Sequence, residues 1–151
     1  MSRRILFPTG YATALAEWDT ATFGWALFTD SWVQSEPTEV YLSSIVAYEL
    51  TDASYSRVTL TGPFTDVVLP LYNETAGYVR YHCDPPQFGI LVGGEIAASL
   101  VLFVDTGSDA TSAIVASFPC NYEANGVNPA DFTESAAGVL TVGTVCQEPA
   151  L

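Results

Sequence analysis

Ala97-Ala98-Ser99-Leu100-Val101-Leu102-Phe103-Val104 runs into the polar stretch Asp105-Thr106-Gly107-Ser108-Asp109, and Ala110-Thr111-Ser112-Ala113-Ile114-Val115-Ala116-Ser117-Phe118 follows. An apolar run of strand length, a short turn with one glycine and a second apolar run form the pattern of a β-hairpin. Leu100 to Val104 are consecutive and bulky, which suits a central strand covered on both faces rather than an edge strand with one wet face. Asp105 and Asp109 can bond back to the turn backbone, and Gly107 can take a positive φ without steric cost. The competing reading is one buried helix over residues 96–104. The β-branched content favours the strand.

Outward from this hairpin, strand signals recur. Trp25-Ala26-Leu27-Phe28-Thr29-Asp30 is a strand candidate, and a loop follows over 31–37. Tyr41, Leu42, Ile45, Val46 and Glu49 have helical spacing behind Pro37, so residues 39–50 are expected to hold a short helix or helical turn. Tyr55-Ser56-Arg57-Val58-Thr59-Leu60-Thr61 alternates as a half-buried strand and stops at Gly62-Pro63. Residues 65–71 form a strand that Pro70 ends or confines to an edge. A turn over 73–77 leads into a strand over 78–83, a short strand is expected over 88–92 and a final one over 138–145. Turns arrive every eight to twelve residues with no long helix between them, which predicts an all-β fold, an antiparallel sandwich or barrel. The domain is expected over 19–146, with an N-terminal arm over 1–18 and a C-terminal tail over 147–151. In the arm, Ile5-Leu6-Phe7 either adds a strand to a neighbour's sheet edge or forms the first strand of its own domain.

At 151 residues one such domain buries enough surface to be stable without a disulfide framework. Its composition is unusual for a solitary one. Apolar residues make up 49% and charged residues only 14%, against roughly 25% charged in an average soluble domain. So few charges leave apolar or neutral surface exposed, and large apolar patches mark interfaces. The charge is also lopsided: 17 acidic residues face four basic ones, Arg3, Arg4, Arg57 and Arg80, for a net charge of -13. That balance repels phosphate backbones and anionic lipid, which argues against nucleic-acid and membrane partners.

Cys83, Cys120 and Cys146 are odd in number and have no motif spacing, which argues against a secreted disulfide scaffold. Arg3-Arg4 and Ala14-Leu15-Ala16 imitate a signal peptide, but Pro8-Thr9-Gly10 interrupts the apolar stretch between them. No apolar stretch approaches the roughly 18 residues of a membrane-spanning helix.

Candidate chemistry is sparse. His82 and Cys83 are adjacent in an expected strand and point to opposite faces, so they do not share a metal. A Cys–His nucleophilic pair would need His82 beside Cys120 or Cys146, and no spacing indicates it. Asp105-Thr106-Gly107 matches the aspartic-protease triplet, yet those enzymes need two adjoining carboxylates and the triplet occurs once. Asp105, Ser108 and Asp109 offer oxygens to Ca²⁺, but not at EF-hand spacing. Asn73-Glu74-Thr75 is a glycosylation sequon with meaning only after secretion. Trp18, Trp25 and Trp32 fall seven apart, which reads as core packing or coincidence. No catalytic residue, metal site or cofactor is expected.

One ordered string of segments resembles a known family. Ala26-Leu27-Phe28-Thr29-Asp30-Ser31, Tyr41-Leu42-Ser43-Ser44-Ile45, Ala47-Tyr48-Glu49-Leu50, Tyr55-Ser56-Arg57-Val58-Thr59-Leu60-Thr61-Gly62, Leu102-Phe103-Val104-Asp105-Thr106-Gly107 and Ile114-Val115-Ala116-Ser117-Phe118 together resemble a small virion structural protein family of tailed phages, the head decoration or minor structural proteins. The resemblance covers roughly residues 23–118. Relatives usually carry Asp or Glu where this chain has Ser44, and a Trp near the place of Pro86. The resemblance implies a virion component, assembled in the bacterial host cytoplasm, with the major capsid protein or other virion proteins as partners and no catalytic residues.

The expected function is therefore non-enzymatic: decoration or stabilisation of a capsid through subunit contacts, including self-association. Arg3, Arg4, Ile5, Leu6, Phe7, Trp18 and Trp32 are the candidate contact residues, with Arg3 and Arg4, or a partner's basic residues, expected to meet acids at the contact. The alternatives are a neck or tail component and a carbohydrate-binding module on a tail fibre.

Overall fold

A computed structural model describes residues 5–33, 39–62, 64–68, 78–83, 86, 88, 97–119 and 146–149. Its strands are β1 (Ile5–Leu6), β2 (Phe23–Phe28), β3 (Val58–Thr59), β4 (Phe64–Val68), β5 (Tyr78–His82), β6 (Ser99–Val104), β7 (Ile114–Pro119) and β8 (Cys146–Pro149). One helix, α1, spans Pro8–Glu17, and two 3-10 turns span Leu42–Ser44 and Val46–Tyr48. The main sheet is antiparallel in the order β1-β7-β6-β2-β3, and β4-β5-β8 form a second antiparallel sheet. The main sheet is open and therefore not a barrel. With α1 packed over it, the described region is mixed α/β rather than all-β.

The hairpin β6–β7 is at the centre, and every residue of β6 is buried. Alternation along β6 divides the apolar run between two cores. Leu100, Leu102 and Val104 join Trp25, Leu27, Ala14, Trp18, Leu50 and Leu60 on one face. Val101 and Phe103 join Ala26, Phe28, Phe7, Trp32, Leu42 and Ile45 on the other. Each fully buried leucine stabilises the fold by about 1.5–3 kcal/mol. A helix over 96–104 is excluded.

Between Leu102 and Phe103 the pairing shifts: Leu102 lies opposite Ala116 and Phe103 opposite Ile114. Val115 is the extra residue of this bulge. It turns its side chain to the same core as Ala116, and its carbonyl accepts the Phe7 N–H at 3.0 Å. The bulge thus anchors the junction of β1 and α1.

That junction corrects the extended arm. Ile5 and Leu6 pair with Ser117 and Ala116 of the chain's own β7, and Phe7 is buried. Pro8-Thr9-Gly10 begins a helix instead of breaking a strand, because Pro at the first helical position lacks only an N–H that would have no partner there. Gly10 rests on the backbone of Ile114, where a Cβ would overlap the carbonyl.

Other expectations fare unevenly. The strand expected from Trp25 starts at Phe23 and ends at Phe28. The helical pattern over 39–50 becomes two 3-10 turns, whose three-residue period buries Leu42 and Ile45 together. Of the strand expected over 55–61, only Val58–Thr59 pairs with β2. The hairpin loop does not stop at Asp109 but continues to Ala113. Cys146–Pro149, which straddles the expected boundary between domain (to 146) and tail (from 147), pairs with β5. The loop over 34–37, the turn over 73–77, most of the strand over 88–92, the strand over 138–145, Arg3, Arg4 and Cys120 lie outside the described residues.

Candidate functional site

Arg57 is the sole basic residue between Arg4 and Arg80, and it sits where three segments meet. Its Nε and Nη2 donate to Glu49 Oε1 and Oε2 at 2.7 and 2.6 Å. Its Nη1 and Nη2 donate to Asp109 Oδ1 and Oδ2 at 2.6 and 3.1 Å. The fork thus makes two bidentate pairs at once, a geometry that only a planar guanidinium provides. The guanidinium carbon also lies 5.5 Å from the centroid of the Phe103 ring, within cation–π range.

Glu49 reaches this position because it follows the second 3-10 turn and bridges to Phe28 at the end of β2. Its Oε1 also accepts the Tyr55 hydroxyl at 2.7 Å. The Tyr55 oxygen accepts the Leu27 N–H at 3.0 Å. A side chain therefore satisfies a backbone donor on the outer edge of β2, where a longer β3 would otherwise have paired. Hydrogen bonds donated to Glu49 and then to Asp109 push the Arg57 pKa upward. The hydrogen bond from Arg57 holds the Asp109 carboxyl below its ordinary 3.8. Burial, and then the Glu49 charge, push the Tyr55 phenol up from its ordinary 10.0.

Asp109 is presented by the hairpin loop, which the hydroxyls shape. Thr106 Oγ1 lies 2.5 Å from Thr111 Oγ1 and 3.2 Å from Ser112 Oγ, and Asp105 Oδ1 accepts the Gly107 N–H at 2.9 Å with Gly107 at φ +83°. The loop is sewn to the 3-10 turns by Leu42 N–H to Ser112 O and Ser43 N–H to Asp109 O. Asp105-Thr106-Gly107 is thus a turn with an exposed carboxylate, and the Asp109 carboxylate is engaged by Arg57 rather than by the turn backbone. Among the described residues no group of three or more His, Cys, Asp or Glu side chains is placed to hold a metal ion. A cavity of about 50 Å³ beside Phe7, Thr9, Glu39 and Ile114 is far below the several hundred Å³ of a small-molecule site.

Three of the sequence-derived contact residues prove to be interior. Phe7, Trp18 and Trp32 are all buried. Trp18 packs on Phe23 at 4.9 Å between ring centroids, and Trp32 packs on Phe28 at 5.2 Å. Trp32 Nε1 donates to Glu39 Oε1 at 2.9 Å. Leu6 is half-buried. The core reading of the tryptophan spacing therefore describes their placement, and these side chains are not at a surface. Cys83 is buried in the same core cluster as Phe88.

The exposed large apolar side chains among the described residues are elsewhere: Val33 at 82%, Tyr41 at 41%, Val46 at 42% and Tyr48 at 39%. They fall on two segments: Tyr48 is tied to Thr29 at the Phe28 end of β2, with Val33 following, whereas Tyr41 bridges to Ala113 at the hairpin-loop end of the sheet. The Thr29 N–H and hydroxyl both reach Tyr48 O, at 2.9 and 3.2 Å, and the Trp32 N–H reaches Thr29 O. This rim is not singled out in the sequence, where Tyr41 and Val46 read only as part of a helical spacing with Leu42, Ile45 and Glu49.

Comparison of the chain with protein-family models, with curated proteins and with solved structures returned no match in any of the three.

Proposed function

We propose that the chain is a non-enzymatic assembly subunit, a capsid decoration or minor structural component of a tailed-phage virion, with its two antiparallel sheets packed as a sandwich. The observation that carries this reading is the shortage of charge: 14% charged residues beside 49% apolar ones. A chain so composed stabilises itself further by covering apolar surface against other subunits. The resemblance of residues 23–118 to phage structural proteins supplies the setting.

The test is quantitation of the chain in density-purified particles from cells making the whole structural set, with sedimentation velocity on the purified chain. A fixed copy number per particle is expected. A chain found only as a monomer, at all concentrations and absent from particles, overturns the reading.

A further inference from the structure

We infer that the rim formed by residues 29–33 and 41–48 is the chain's docking face, and that its occupant is a protein surface combining aliphatic side chains with Arg or Lys rather than a second copy of this chain. The inference rests on the assembly reading above and names the partner's chemistry.

Val33, Tyr41, Val46 and Tyr48 are the large apolar side chains exposed among the described residues, and all four are on this rim. Tyrosine presents broad contact area at low entropic cost and is enriched at interfaces. The rim is stiff, because backbone hydrogen bonds tie Thr29 to Tyr48, and Leu42 and Ser43 to the hairpin loop. A stiff apolar surface loses little entropy on docking.

Charge selects the occupant. From Ile5 to Ser56 the sequence contains no Arg, Lys or His. Arg57, the next cation, is held between Glu49 and Asp109 behind the rim. Among the described residues, the charged side chains on or beside the rim other than the Arg57 cluster are acidic: Asp30 is exposed and Glu39 half-buried. Two copies meeting through this face would set acid against acid, on chains that each carry -13. Such like-charge juxtaposition disfavours self-pairing, whereas a cationic partner is attracted and steered. An apolar contact rimmed by complementary charge is also one that salt weakens.

The test uses the full-length ¹⁵N-labelled chain and three synthetic peptides: alternating Leu and Arg, alternating Leu and Glu, and alternating Gly and Arg. The Leu/Arg peptide is expected to shift the amide resonances of residues 29–33 and 41–48 saturably. The other two peptides bind at least tenfold more weakly, and so does the Leu/Arg peptide at 0.5 M NaCl, about fivefold above the salt at which the Debye length is ~10 Å. Val46→Asp and Tyr48→Ser each weaken the Leu/Arg response at least tenfold while the remaining spectrum keeps its dispersion, and Asp30→Asn weakens it less. Shifts spread over distant carboxylates such as Glu17, an equal response to Gly/Arg, no saturable response, or concentration-dependent shifts of the rim without peptide each overturn the inference. Particle incorporation separates the two claims. Wild-type chain absent from particles rejects the virion reading even if the rim binds peptide. Val46→Asp chain incorporated at wild-type copy number rejects the rim.

Discussion

The Phe103 ring occupies the space that a side chain at Gly24 would fill. The two residues pair directly across β2 and β6, and a Cβ built on Gly24 would overlap the end of that ring. Phe103 in turn supports the Arg57 guanidinium, so the absence of one methyl group at residue 24 sets the height of the ion-pair cluster above the sheet. Gly24→Ala forces Phe103 off its rotamer and lifts it toward Arg57. Overpacking of this kind costs about 1–3 kcal/mol. Urea denaturation is expected to place Gly24→Ala in that range, and a loss below ~0.5 kcal/mol would show that the ring has room to move.

Gly10 and Gly107 make a contrasting pair. At Gly10 a Cβ would meet the rigid Ile114 backbone, so Gly10→Ala must push α1 away from β7 despite the better helix propensity of alanine, at a net cost of about 2 kcal/mol or more. At Gly107 nothing lies within 4 Å of the added Cβ, and only the positive φ opposes it. Gly107→Ala is expected to cost about 1 kcal/mol. Thermal melts should therefore rank Gly10→Ala below Gly107→Ala, and the reverse order would mean that α1 does not press on β7 as described.

These glycines show what was legible in the sequence. The central hairpin was readable because a continuous bulky run, a turn glycine and two aspartates agree at one place. Helix α1 was not, because Pro8-Thr9-Gly10 is a breaker by local rule and becomes a helix start only when the Ile114 backbone requires a glycine beneath it. Residues 55–61 alternate as a strand should, yet Tyr55 turns its hydroxyl to Leu27 and replaces the ladder that alternation implies. The Arg57 cluster left one signal: a lone arginine in a long acidic stretch, whose partners 8 and 52 residues away no local pattern identifies. The same distance problem hid the rim. Tyr41 and Val46 keep helical spacing with Leu42 and Ile45, and only the tighter 3-10 winding separates the buried pair from the exposed one.

Tyr55→Phe removes one oxygen and affects two partners. The Leu27 N–H loses its acceptor and Glu49 loses a donor, while the ring keeps its stacking on Phe88. A buried donor without a partner costs about 1–3 kcal/mol, so Tyr55→Phe is expected to lose about that much at pH 7. Hydrogen exchange localises the effect. The Leu27 amide should exchange at least tenfold faster in the variant relative to its neighbours in β2, and unchanged protection there would remove Tyr55 as the edge acceptor.

Ser117 tests the converse. It is buried in β7, and its Oγ has no hydrogen-bond partner among the described residues. Its backbone pairs with Ile5 and Val101 whatever the side chain. Burying a hydroxyl without a partner is unfavourable. Ser117→Ala is therefore expected to be neutral or to stabilise the chain by up to about 1 kcal/mol. A loss above ~1 kcal/mol in denaturant titration would reveal a bond to that oxygen.

The Arg57 cluster gives the stability curve a defined acid limb. Hydrogen bonding from Arg57 depresses the folded-state pKa of Asp109 below its unfolded value. A depressed carboxyl contributes stability that is complete above the unfolded value and is lost as pH falls through the folded one. The contribution is therefore present at pH 5–7 and declines below about pH 4. Asp109 and Arg57 are each about one-third exposed, so solvent screening limits the pair to roughly 0.5–1 kcal/mol. Asp109→Asn should lower stability by that amount at pH 6 and by progressively less toward pH 2, where the two proteins converge. Arg57→Ala should cost more, about 1–3 kcal/mol, because it also leaves the Glu49 carboxylate, 11% exposed, without its cation. In the double variant the losses should be less than additive, since Asp109 has nothing to pair with once Arg57 is gone. Parallel stability curves for wild type and Asp109→Asn from pH 2 to pH 7 would show that the ion pair does not form in solution.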